Sequence, residues 1–253
     1  MASWLLLPVP LIPVLITLYR SSLMALFRRV CATVLKLPGR NMCVRRIHAY
    51  VFSECTHGQA ESVLATFHQY ANTHAVLSIG PEKGEFLDEV VRRKAPLRVL
   101  ELGMHCGYSS VRILCLLPVS GKLFTVEMDP LAADKGEEII LVAGFKHKQF
   151  QVLSCSSHEA ITGLASDLNE GQLDLVVMDH DPEQYLPDLL ALQRHNLLSE
   201  SSVVVLNGAQ EPGAQTVLKY ISARPQNYSV CQQFEDMLEI ICHKDTDLHE
   251  EES

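Results

Sequence analysis

The sequence predicts an α/β fold: a doubly wound, mostly parallel seven-stranded sheet with helices on both faces and a C-terminal antiparallel hairpin. Three observations carry that expectation. Five short apolar runs, at residues 98–102, 122–126, 150–153, 173–178 and 202–206, are separated by segments of helical periodicity. Strand and helix alternating at that cadence build a parallel sheet with crossover helices. Two further apolar strips, 228–232 and 237–242, lie close enough to pair as a hairpin. Apolar residues make up 47% of the 253, which supplies a sizeable core and argues against global disorder.

The elements follow in chain order. Residues 1–19 carry no charged side chain and 4–19 are almost wholly apolar, although Pro8, Pro10 and Pro13 weaken a regular helix there. The first charge is Arg20, followed by Arg28, Arg29, Lys36, Arg40, Arg45 and Arg46. All that positive charge lies after the apolar run, so the expectation is a retained membrane anchor over 1–20 with the main domain cytosolic. A cleaved signal peptide would carry basic residues ahead of its apolar run, and this chain has none there. A basic juxtamembrane segment fills 21–42, and the membrane expected is the endoplasmic reticulum.

Residues 59–71 and 82–94 read as helices. In the second, Phe86, Leu87, Val90 and Val91 share a face, and Asp88–Arg92 and Glu89–Arg93 are spaced as i,i+4 ion pairs. The tail over 244–253, KDTDLHEEES, is acidic and aperiodic, and a solvated, disordered tail is expected there. The net charge of −9 argues against nucleic acid as a partner. Eight cysteines without a CxxC pair suggest neither a disulfide framework nor a zinc site.

The chemistry-bearing stretch is ELGMHCGYSS, residues 101–110, where a buried strand runs into a glycine turn and a helix. Gly103 and Gly107 let the backbone approach a ligand where a Cβ would collide. Glu127 ends the next strand, where a carboxylate can accept both hydroxyls of a ribose. Together they describe a seat for an adenosine-containing cofactor. NAD would call for G-x-G-x-x-G, and only two glycines stand in Gly103-Met-His-Cys-Gly107. S-adenosylmethionine, which has no pyrophosphate to cradle, fits the spacing better.

ELGMHCGYSSVR, TVEMDP, MDHDPEQYLPD and EPGA, in that order, resemble the catechol O-methyltransferase family, and most closely its membrane-anchored branch, the transmembrane O-methyltransferases. The resemblance covers 43–243 and implies the Rossmann-like class I S-adenosylmethionine-dependent methyltransferase fold. It implies that Leu77 and Ile79 line the methionine end of the cofactor. Glu101 and Gly103 sit by its amino-acid part, with Ser109 bonded to its carboxylate. Glu127 holds the ribose, Ser156 and Ser157 lie beside the adenine, and His180 packs against the cofactor nearby. His180 also reads as a histidine satisfied at a strand end, and Tyr108 as either a core aromatic or a pocket wall.

The family pattern also implies Asp-His-Trp-Lys after the fourth strand and Asp-Asn after the fifth, to bind Mg²⁺ and to take a proton. Here the first reads Asp179-His180-Asp181-Pro182 and the second Asn207-Gly208. Asp179 with Asn207 is a degraded metal pair, because Mg²⁺ usually takes one or two carboxylates. Asp181, Glu183 and Glu211 are close in sequence and could compensate only if folded onto the site, and a solvated loop is their plainer reading. The hairpin is also shorter than the family's. Three readings stand open. One is a metal-independent methyltransferase acting on a phenol or thiol of low pKa, with His180 or His105 as base. The second is a non-catalytic membrane-anchored protein that docks or chaperones another membrane protein. The third, Mg²⁺-dependent catechol methylation, fits these residues least.

Overall fold

A computed structural model describes residues 39–74, 79–167 and 171–243. The expected anchor over 1–20, most of the segment over 21–42, Leu77 and the tail over 244–253 lie outside the described residues. The chain divides into two compact units, Met1–Cys43 and Val44–Ser253. Among the described residues, no helix is long and apolar enough to cross a membrane.

The strands are β1 (Arg98–Leu102), β2 (Lys122–Val126), β3 (Phe150–Leu153), β4 (Leu173–Met178), β5 (Leu198–Leu206), β6 (Tyr228–Phe234) and β7 (Met237–Cys242). They form one seven-stranded sheet in the order β3-β2-β1-β4-β5-β7-β6. Pairing is parallel from β3 through β5, and β7 runs antiparallel to both β5 and β6. The helices are α1 (Gly39–Glu54), α2 (Ala60–Ala71), α3 (Gly80–Lys94), α4 (Tyr108–Leu116), α5 (Pro130–Val142), α6 (Ser157–Asp167), α7 (Tyr185–Arg194) and α8 (Pro212–Ser222).

Strand alternation sends side chains into two cores. In β4, Leu175 and Val177 join the core beneath α2 to α5, while Val176 and Met178 join the one beneath α6 to α8. β5 repeats the division with Val203 and Val205 against Val204 and Leu206. Both faces are covered, so the central strands read as continuous apolar runs.

Three expectations need correction. β5 begins at Leu198 rather than residue 202: Leu198 pairs with Leu173, and the register shifts before Leu175. The polar residues 199–201 conceal this irregular start, where Ser201 takes φ +61°. α3 begins at Gly80 rather than residue 82, because Pro81 supplies the fixed φ that suits a first helical turn. The Glu89–Arg93 pair is replaced. Arg93 instead bonds Glu239 of β7, whose side chain is 2% exposed. A buried carboxylate left unpaired costs far more than an exposed i,i+4 pair contributes, so the longer contact wins. Asp88–Arg92 does form, at 3.4 Å, but Asp88 is held mainly by Arg112 through bonds of 3.0 and 2.9 Å.

The topology gathers the polar loops at one edge. Backbone bonds continue past the strand ends from Gly103 N to Val126 O (2.9 Å), Asp179 N to Leu102 O (2.9 Å) and Asn207 N to Met178 O (3.0 Å). Because β7 reverses against β5, pairing Leu206 with Leu238, the tight β6–β7 turn at Glu235 and Asp236 arrives at the same edge.

Candidate functional site

The first half of this edge lies at β1 and β2. Glu101 is 1% exposed. Its Oε2 accepts from the hydroxyls of Thr125, at 2.6 Å, and Ser110. Burial pushes its carboxyl up, against hydrogen bonds from Ser109, Ser110 and Thr125 that pull it down. The other oxygen, Oε1, is buried without a partner. Ser109, expected at the cofactor's carboxylate, is buried in the first turn of α4.

Gly103 has φ +98°, and a Cβ there would stand 2.3 Å from the carbonyl oxygen of Asp179. Glycine is therefore required first by the packing of β1 against β4, which is a different reason from ligand approach. Gly107 (φ +82°) caps α4 from the left-handed region. Tyr108 is a core aromatic: its hydroxyl meets His68 Nε2 at 2.6 Å and accepts from Arg112 at 2.7 Å.

Glu127, 5% exposed, accepts from the backbone amides of His105 and Asp129, each at 2.9 Å. Those bonds fix the carboxylate at the end of β2. Beside it Met128 is 73% exposed, an apolar side chain left at the open edge that the sequence reading passed over. Ser156 and Glu159 form a reciprocal cap on α6: Oγ to Oε2 is 2.7 Å, Ser156 N to Oε2 is 3.0 Å, and Glu159 N to Oγ is 3.3 Å. Ser156 therefore has a helix-capping task, and Ser157 opens the helix. Ile79 caps α3 and is 9% exposed.

The second half lies at β4, β5 and the hairpin turn. His180 Nε2 is 2.8 Å from Asp188 Oδ2, its ring lies 5.0 Å from that of Tyr185, and its Nδ1 is buried without a partner. Asp179 Oδ1 accepts from Asn207 Nδ2 at 2.6 Å. Asn207 Oδ1 in turn accepts from Lys83 Nζ at 3.0 Å, and the same ammonium pairs with Asp236. Ala209 N bonds Asp236 O at 2.7 Å, which secures the turn. Loss of water pushes the Asp179 carboxyl up to about 6, against the opposing pull of Asn207, Lys83 and His180. Asp181 spends its side chain on capping the short 3₁₀ turn Pro182–Gln184. Pro182 lies against the start of α8, where a Cβ on Gly213 would stand 2.2 Å from its carbonyl oxygen. Among the described residues, no group of three or more His, Cys, Asp or Glu is placed to hold a metal.

Comparison with known proteins shows the family and the fold. The O-methyltransferase family pattern matches residues 55–222. The transmembrane O-methyltransferase homolog of Rattus norvegicus is 35% identical over 218 residues, covering 83% of each chain. Catechol O-methyltransferase of Bos taurus is 33% identical over 208 residues, 80% of this chain and 75% of that one. The chain belongs to the O-methyltransferase family. Among solved structures, an O-methyltransferase from Bacillus cereus in complex with SAH superposes with a TM-score of 0.61 at 17% identity, covering 72% of this chain and 90% of that one.

Set beside the catechol O-methyltransferase pattern, the two halves of the edge differ in state. In the first half, the glycine turn and the carboxylates of Glu101 and Glu127 lie at the ends of β1 and β2. In the second half, Lys83, Asp236 and Asp188 enter from other elements, and sequence reading gave no role to any of the three.

Proposed function

We propose that this chain is a membrane-anchored O-methyltransferase homologue that binds S-adenosylmethionine and does not use Mg²⁺ at its acceptor end. The anchor is residues 1–20, with the domain on the cytosolic side of the endoplasmic reticulum. The positive-charge asymmetry after the apolar run supports it, as does the transmembrane relative at 35% identity.

Bound S-adenosylmethionine would supply an electrophilic methyl group. The residues present suit it. Its sulfonium and ammonium give it positive charge, and the unpartnered Oε1 of Glu101 is a buried acceptor that such a group would satisfy. Glu127, fixed at the end of β2 by the amides of His105 and Asp129, is the carboxylate that would hold the ribose hydroxyls. Met128 would offer an apolar contact to the base, with Ser157 at the start of α6 and His180 after the end of β4.

Mg²⁺ does not suit the residues present. The observation that carries this reading is the position of Asn207: its amide nitrogen donates to Asp179 while its oxygen receives the Lys83 ammonium. A divalent ion there would need both oxygens turned toward it and would meet a cation in place. Pro182 offers no proton acceptor where the family keeps its lysine. Of the base candidates His180 and His105, the first is held by Asp188 through Nε2, so only its Nδ1 could serve.

Calorimetry on the full-length protein in detergent tests this reading. S-adenosylmethionine should bind saturably in EDTA, with the same affinity after magnesium is added. Absence of binding, or binding that needs magnesium, would reject it. The same closed acceptor end also favours a second reading, a docking partner for another membrane protein. Cofactor binding without transfer to any phenol would select it.

A further inference from the structure

We propose that Lys83 is the acceptor-binding residue of this site: its ammonium receives the single oxygen of an acidic phenol, a place a divalent ion would otherwise fill. The inference rests on the S-adenosylmethionine reading above and adds the acceptor class to it.

Three observations place the cation. Lys83 Nζ reaches two acceptors from different elements, Asn207 Oδ1 at the end of β5 and Asp236 in the β6–β7 turn. An ammonium carries three N–H donors, so one is unspent. The side chain is 17% exposed, which keeps that donor within reach of a ligand at the carboxyl edge. Finally, the lysine sits near the amino terminus of α3, where the helix dipole disfavours a cation. A charge held against local preference is a feature expected at functional sites.

The chemistry then narrows the acceptor. One spare N–H grips one oxygen, whereas a metal gathers the two of a vicinal diol. A single positive charge, partly offset by Asp236, lowers a hydroxyl's pKa less than a divalent ion does. The lysine that would remove a proton is Pro182 here, so the oxygen must be acidic enough to give its proton to solvent water near neutral pH. Carboxylates are disfavoured, because Asp236 and Asp179 already stand against Lys83 and Asn207 and make this end acidic. A neutral phenol that ionises on arrival fits both constraints. On transfer, the phenolate oxygen's electron pair forms the new O–C bond, the pair of the broken C–S bond returns to sulfur, and no proton moves.

The probe is 4-nitrophenol, whose phenolate is read by its visible absorbance, titrated with full-length protein loaded with S-adenosylhomocysteine in EDTA. Wild type should raise the bound phenolate fraction. Lys83→Gln should weaken phenolate binding at least about tenfold, the loss of one charge-assisted hydrogen bond, with S-adenosylmethionine affinity unchanged by calorimetry. Asp236→Asn, which strips the ammonium of its counter-ion, should tighten binding several-fold, an outcome misfolding cannot imitate. Equal phenolate binding by wild type and Lys83→Gln, or weaker binding by Asp236→Asn, would overturn the assignment. Failure of S-adenosylmethionine to bind wild type would instead reject the cofactor reading on which it rests.

Discussion

His180 and Asp188 form a tethered pair at the end of β4, with Nε2 to Oδ2 at 2.8 Å and the Asp188 side chain 2% exposed. The carboxylate on α7 fixes the ring through Nε2 and leaves Nδ1 buried without a partner. Asp188→Ala should lower the urea midpoint by the equivalent of about 2 kcal/mol, the cost of an orphaned buried donor. Asp188→Asn, which can still accept from Nε2, should lose clearly less. Equal losses in the two variants would mean that the hydrogen bond is not what stabilises this corner.

Glu101→Gln should separate stability from ligand affinity. Burial raises this carboxyl, so its ionised form destabilises the fold progressively as pH rises through the raised value. An amide keeps an acceptor for Ser110 and Thr125 and removes the charge. Denaturation at neutral pH should therefore show equal or greater stability, while S-adenosylmethionine affinity falls about tenfold or more through the loss of a charge-assisted bond. Unchanged affinity would remove Glu101 from the cofactor site.

The pH dependence of stability should carry the mark of Asp179. Its carboxyl is raised from 3.8 to about 6 by loss of water. Below the unfolded value both states are protonated and the folded state has its full advantage, which is lost as pH climbs through about 6. That loss is at most about 3 kcal/mol, and partial exposure trims it. Asp179→Asn should flatten the stability profile between acid and neutral pH; a profile identical to wild type would contradict this.

Ser156→Ala should cost about 1 kcal/mol by loss of the reciprocal cap on α6. Because Glu159 is the other half of that cap, the double variant should lose little more than either single one. Additive losses in denaturant titrations would show two independent contacts.

How far the sequence discloses this molecule depends on the range of the contact involved. The strands β1, β2, β4 and β7 are legible as apolar runs because each is largely buried on both faces, whereas β3, at the sheet edge, is legible from Phe150, Val152 and Leu153 alone. The reading of β5 misses residues 198–201, since its first residues are polar and irregular. Glu127 is legible because a carboxylate at the end of a second parallel strand has a known chemical use. Ser156 reads as a cofactor neighbour by resemblance, yet Ser-x-x-Glu before a helix is a local capping signal that sequence alone carries. Lys83 is another matter. It reads as a helix-surface lysine, and its partner Asn207 lies 124 positions away. No spacing rule joins them, because only the parallel crossovers and the reversed β7 bring α3, β5 and the hairpin turn to one edge. The Arg93–Glu239 pair escapes for the same reason.

The most direct test of the closed acceptor end is a titration of Mn²⁺, a spectroscopic stand-in for Mg²⁺, into full-length protein loaded with S-adenosylmethionine. The free ion is followed by electron paramagnetic resonance. With Lys83 seated on Asn207, the free-ion signal should rise as it does in buffer alone. A stoichiometric loss of signal that Asp179→Asn abolishes would contradict the account.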